Sequence, residues 1–126
     1  MYGKTTIAAV ALLTISAIPG TAGEADVLGA TANKRGDAWS FTATVRHADT
    51  GWEHYADRWD VVGPDGAVLG SRTLFHPHVG EQPFTRSLSG VKIPEGVTQV
   101  TIRAHDKVHG LGGKEFALEL PSGKGS

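Results

Sequence analysis

The stretch "AWSFTATVRH", residues 38–47, decides the fold. Trp39, Phe41, Ala43 and Val45 alternate with Ser40, Thr42, Thr44 and Arg46. Successive side chains of a strand point to opposite faces, so this run has one apolar and one polar face, the mark of a half-buried antiparallel strand. The same period of two recurs on both sides of it. In "RWDVV", residues 58–62, Trp59 and Val61 point inward, and Gly63-Pro64-Asp65-Gly66 then makes a tight turn. "AVLGSRTLF" (67–75) leads back and "FTRSLSGV" (84–91) follows, before a second turn at Ile93-Pro94-Glu95-Gly96. "TQVTIRAH" (98–105) places Val100, Ile102 and Ala104 inward, and "KEFALEL" (114–120) does so with Phe116, Leu118 and Leu120. An opening strand over residues 26–32 precedes Asn33-Lys34-Arg35-Gly36-Asp37. Gly112-Gly113 and the ending "PSGKGS" read as flexible connectors.

Seven short strands with frequent turn signals and no amphipathic helix give an all-β fold. The expectation is a seven-stranded antiparallel Ig-like or fibronectin-III-like β-sandwich after an N-terminal signal peptide. No Cys…Trp…Cys signature accompanies it, and a small open barrel or jelly roll is the alternative. Trp39, Trp59, Phe41 and Phe116 are assigned to the core.

The signal-peptide reading rests on residues 1–22, "MYGKTTIAAVALLTISAIPGTA". Lys4 supplies a positive n-region, residues 5–18 are uncharged and apolar, and Pro19-Gly20 ends the run before the small residues Gly20-Thr21-Ala22. The apolar run is short for a bilayer span, which takes about 20 residues. The expected division is a leader at 1–22, a sandwich domain at 23–120 and a flexible tail at 121–126, with the cut equally able to fall after Gly23. The chain is then periplasmic or secreted, with no membrane span once the leader is removed.

Composition narrows the chemistry. The 126 residues include no cysteine, which excludes a thiolate nucleophile, a cysteine zinc site and a blue-copper site, and the single methionine is Met1. The formal net charge is −1 and no basic run occurs, so nucleic acid is not an expected partner. No nucleophile elbow or phosphate loop is present.

Six histidines remain, and strand direction places them. Antiparallel strands alternate in direction, so alternate connections return to the same end of a sandwich. The connections holding "ADTGWEHYAD", "HPHVGEQP" and "DKVHGLGG" share one pole, and both sharp turns lie at the other. His47, His54, His76, His78, His105 and His109 all go to the first pole. Imidazole suits Zn, Cu(II) and Ni. The metal candidates are His76, His78, His105 and His109, then His47, with Asp49, Glu53, Asp57, Glu81 and Asp106 as nearby carboxylates. Zn or Cu(II) is the expected cofactor. Trp52, His54 and Tyr55 form an aromatic-rich loop suited to a partner protein of the cell envelope, where His54 could pack on a neighbouring ring. Arg46 and Arg103 fall on outward parity, where pairing with Asp or Glu is expected.

The stretches "VRHADTGWEHYADRWDVVGPDG", "LFHPHVGEQPFTRSLSGV" and "VTIRAHDKVHG" resemble small exported bacterial proteins of uncharacterised role with an Ig-like or fibronectin-III-like domain. The resemblance implies an exported sandwich and assigns no catalytic or ligand role. Sequence therefore supports a metal-binding exported sandwich, with a metal-independent interaction module using the same loops as the alternative. No catalytic residue is assigned. A metalloenzyme would need an open coordination position and a general base such as Glu53 or Glu81.

Overall fold

The computed structural model describes residues 23–121. The expected leader and residues 122–126 of the tail lie outside them. Seven strands follow in order: β1 (Asp26–Arg35), β2 (Ala38–Arg46), β3 (Ala56–Val62), β4 (Val68–Thr73), β5 (Phe84–Val91), β6 (Gln99–Asp106) and β7 (Phe116–Glu119). They form two antiparallel sheets, β1-β2-β5 and β4-β3-β6-β7, packed as a sandwich. The fourth strand lies beside β3, whereas in the constant-type immunoglobulin layout it joins the sheet of the first two.

The alternation in β2 is realised residue by residue. Trp39, Phe41, Ala43 and Val45 are buried, and the residues between them are half-buried. Their partners across the interior include Trp59, Val61, Phe84, Val100 and Ile102. Each such side chain contributes about 1.5–3 kcal/mol when fully buried, so this layer carries most of the driving force. On the outer face of the first sheet, Ser40, Thr42 and Thr44 hydrogen-bond Ser89, Ser87 and Thr85 across the β2–β5 ladder at 3.1, 2.9 and 2.8 Å.

Two differences from the sequence reading have simple causes. β1 continues through Arg35, because the hairpin to β2 needs only Gly36-Asp37: Arg35 pairs with Ala38, and Gly36 takes φ +67° at the first turn position. Phe116 and Leu118 are half-buried and pack at the margin of the core, because β7 is a four-residue edge strand paired only with β6.

Register brings four segments to one pole. The β2–β3, β4–β5 and β6–β7 connections meet there, as strand direction requires. Asp26 pairs with Arg46, so the chain entering β1 starts at that pole too.

Candidate metal centre

His47 follows the last residue of β2 and is buried. Its imidazole is fixed at both nitrogens. Nδ1 lies 2.5 Å from Asp49 Oδ1, while Nε2 lies 2.8 Å from the Gly23 carbonyl oxygen and 3.2 Å from Asp106 Oδ2. Asp49, also buried, is itself anchored by the backbone N–H of Ala56 at 3.1 Å and of His78 at 2.6 Å. A carboxylate behind an imidazole sets its tautomer and aims the other nitrogen, the usual arrangement of a metal-ligating histidine.

Asp106 ends β6 and is fully buried. Its Oδ1 accepts hydrogen bonds from the backbone N–H of Val108 at 2.9 Å and His109 at 2.5 Å, closing the turn that Gly110 completes. Burial alone would raise the Asp106 pKa. The His109 and Val108 N–H groups, the His109 ring and the nearby His47 outweigh it and hold the carboxyl below its ordinary value.

His54 and His109 complete the group. His54 Nε2 is 3.3 Å from the Gly23 carbonyl oxygen and 3.8 Å from Asp106 Oδ1. His109 Nδ1 is 3.3 Å from Asp106 Oδ2. The His54 ring centroid lies 4.8 Å from that of His47 and 5.0 Å from that of His109. His47, His54 and Asp106 each offer a ligand atom, all within 4.8 Å of one another. An ion with bonds near 2.0–2.2 Å reaches all three after inward movements on the order of half an ångström each. With Nδ1 of His47 donating to Asp49, its Nε2 lone pair faces two oxygens, so a proton or a cation is needed between them.

The other candidates lie at the same pole in different company. His78 is buried, its ring stacked on Phe84 with centroids 4.1 Å apart, and its Nδ1 has no hydrogen-bond partner. Burial, then the charges of Arg86 and His76, lowers its pKa, so the ring is held neutral. His76 is exposed, with its ring 4.8 Å from that of His78, and Nδ1 of His105 pairs with Asp57 at 2.6 Å. None of these three belongs to the compact group. Gln82 joins the two halves of the pole, accepting from the His47 backbone N–H at 2.9 Å and donating to the His78 carbonyl at 3.0 Å.

Of the aromatic loop, Trp52 is 62% exposed and Tyr55 is buried beneath it in edge contact, while His54 turns away into the imidazole group. Phe75, Val79, Val108 and Leu111 are also exposed on the same three loops. Glu81 is occupied by Arg86 at 3.2 Å. Sequence reasoning names Asp106 as one of five nearby carboxylates and weighs Gly23 only as a place where the leader could be cut. The signal that could have found both is register: Asp106 ends the strand preceding the His109 turn, and residue 23 precedes a strand that starts at this pole.

No protein-family model matches the chain. A protein of Halomicrobium mukohataei described as "Putative lipoprotein" is 42% identical over 101 residues, which cover 79% of this chain and 49% of that protein. The chain therefore spans about half the length of the relative it matches. Among solved structures, it is similar to a hypothetical protein from Pyrococcus horikoshii OT3, with a TM-score of 0.49 and 13% identity over 78% of this chain and 88% of the other. Among the described residues, no helix is long and apolar enough to cross a membrane.

Proposed function

We propose that this chain is an exported or envelope-associated β-sandwich that holds a divalent transition-metal ion on His47, His54 and Asp106, with His109 at the edge of the site. Export is supported by the leader-like residues 1–22 and by the description of the Halomicrobium relative as a lipoprotein. The metal reading is carried by one observation: a buried imidazole, locked at Nδ1 by Asp49, shares a pocket of 4.8 Å or less with a second imidazole and a buried carboxylate. Two imidazoles and one carboxylate suit Zn, Ni and Cu(II), and equally Fe(II), which commonly takes two His and one carboxylate with positions left open.

Calorimetric titration of the purified protein with Zn²⁺ and Cu²⁺ at neutral pH, and with Fe²⁺ under anaerobic conditions, tests this reading. One ion should bind per chain, and His54→Ala should lose it while His76→Ala and His105→Ala keep it. Binding weaker than about 100 μM (roughly −5.5 kcal/mol) for all three ions rejects the reading.

A second reading has its own support. Trp52, Phe75, Val79, Val108 and Leu111 place exposed apolar surface on the loops that surround the histidines. Such a rim suits a partner protein of the envelope. Partner capture that persists in excess chelator and is lost in Trp52→Ala would support a metal-independent interaction module.

A further inference from the structure

We infer that the backbone carbonyl oxygen of Gly23 is a further ligand of this ion, so that the segment entering β1 is part of the metal site. The inference rests on the metal reading above and adds a donor to it. The Gly23 oxygen is 2.8 Å from His47 Nε2 and 3.3 Å from His54 Nε2, the same two nitrogens that face Asp106. A neutral oxygen with two lone pairs, placed between two imidazole nitrogens, can accept a hydrogen bond from a ring N–H and can equally face an ion that those nitrogens hold.

The position is built. Gly23 has φ +102°, and a Cβ there would lie 2.5 Å from Cε1 and 3.0 Å from Nε2 of His109, so backbone conformation and the His109 ring both favour glycine at this position. The next residues are tied to the β6–β7 connection. Val27 N–H donates to the Lys114 carbonyl at 2.8 Å, and Lys114 N–H donates to Asp26 Oδ1 at 2.7 Å. Ala25 is buried, and its carbonyl approaches Gly113 so closely that a Cβ on Gly113 would lie 1.9 Å from the oxygen. Gly112-Gly113, read from sequence as a flexible connector, is therefore the seat for this segment. Its contacts hold Gly23 over the rings independently of the hydrogen bonds from them. The resulting set of two imidazoles, one carboxylate and one carbonyl has only nitrogen and oxygen donors. It matches Zn²⁺, Fe²⁺ or Ni²⁺ and not Cu⁺, which takes soft ligands.

Carbonyl-¹³C glycine with ¹⁵N glutamate labels two Gly-Glu peptide links in the chain, Gly23-Glu24 and Gly80-Glu81, and the second serves as an internal reference. The full chain so labelled is titrated with Zn²⁺ alone, with calorimetry of the wild type and of His54→Ala alongside. The Gly23 carbonyl resonance is expected to move downfield as the ion polarises it, while that of Gly80 stays in place. Gly23→Ala is expected to weaken Zn²⁺ binding roughly tenfold or more. If Zn²⁺ binds the wild type and not His54→Ala, yet the Gly23 carbonyl stays still or moves upfield as it loses its imidazole donors, the metal site stands and this inference is overturned. Unchanged affinity in Gly23→Ala overturns it as well. If Zn²⁺ does not bind the wild type, the metal reading fails and takes the inference with it.

Discussion

Two buried aspartates sit in contrasting surroundings. Asp60 lies on the outer face of the four-stranded sheet, bonded to Arg58 Nε at 3.0 Å, Arg103 Nε at 3.1 Å and Ser71 Oγ at 2.7 Å. Asp106 lies at the histidine pole with backbone N–H groups and imidazoles around it, and none of the described residues gives it an arginine or lysine partner. Burial alone would raise the pKa of both, and in both the hydrogen-bond donors win and lower it. The difference lies in what balances the negative charge. Guanidinium is permanently charged, so Asp60 is compensated at any ordinary pH. Imidazole is charged only when protonated, so Asp106 has a balance that either a proton or a metal ion can complete.

The largest effect should come from breaking the permanent pair. Asp60→Ala leaves two guanidinium groups facing each other without their anion. Removing one partner of a buried charge pair costs about 3–5 kcal/mol, and because Arg58 and Arg103 retain some solvent, about 3 kcal/mol is expected here. Urea unfolding measures it, and the loss should be the same with and without Zn²⁺. A loss that shrinks when Zn²⁺ is added would mean that the two carboxylates are not separate devices.

The converse test adds an ion. At a hundredfold excess over its dissociation constant, Zn²⁺ should stabilise the wild type by about 2.7 kcal/mol. Asp60→Asn should keep that gain and Asp106→Asn should lose it, read as the shift in thermal midpoint on adding Zn²⁺. If both variants gain equally, Asp106 is not a ligand and the contrast between the two sites disappears.

This contrast also shows which parts of the molecule were legible in the sequence. Strand alternation fixes side-chain parity, so Trp39 to Val45 could be assigned to the core and Arg103 to the outside. Arg103 does meet a carboxylate on its outward face. Strand direction could gather the histidines at one end for the same reason. Alternation says nothing about which loop folds over which, and that is where the reading thinned. His76-Pro77-His78 is adjacent in sequence, but Phe84 draws one ring inward by stacking while the other stays exposed. His54 is beside Trp52 and Tyr55 in sequence, yet its ring meets His47 and His109. Gly23 carries no side-chain signal, because its contribution to the pole is a main-chain oxygen, available at every residue and placed only by tertiary contact.

A smaller effect separates the neutral donor of the Asp60 network from its charged ones. Ser71→Ala removes one hydrogen bond to a buried carboxylate that keeps both arginines. A bond to a charged group is worth about 1.5–3 kcal/mol, and with two other donors remaining the lower figure is expected. Chemical denaturation of Ser71→Ala should therefore show about half the loss of Asp60→Ala, unaffected by Zn²⁺. A loss equal to that of Asp60→Ala would mean that the hydroxyl organises the arginines.

Acid should then divide the two carboxylates by a last, smaller difference. A carboxyl with a lowered native pKa binds fewer protons folded than unfolded. Its stabilisation is complete above the unfolded value near pH 3.9 and is lost as pH falls through the native value. One such group contributes at most about 1.4 kcal/mol per pH unit to the slope. Asp60→Asn should flatten the acid limb of a stability-against-pH curve by up to that amount and leave Zn²⁺ affinity between pH 5 and 7 unchanged. Zn²⁺ affinity itself should fall on acidification, because protons compete with the ion for the imidazole nitrogens. The two carboxylates are thus separable by acid, since the stabilisation from the arginine-bound one changes only below about pH 4, whereas the histidine-bound one shares its ion with rings for which protons compete. An affinity that stays flat from pH 7 to pH 5 would place the ion on carboxylates alone and remove imidazole from the site.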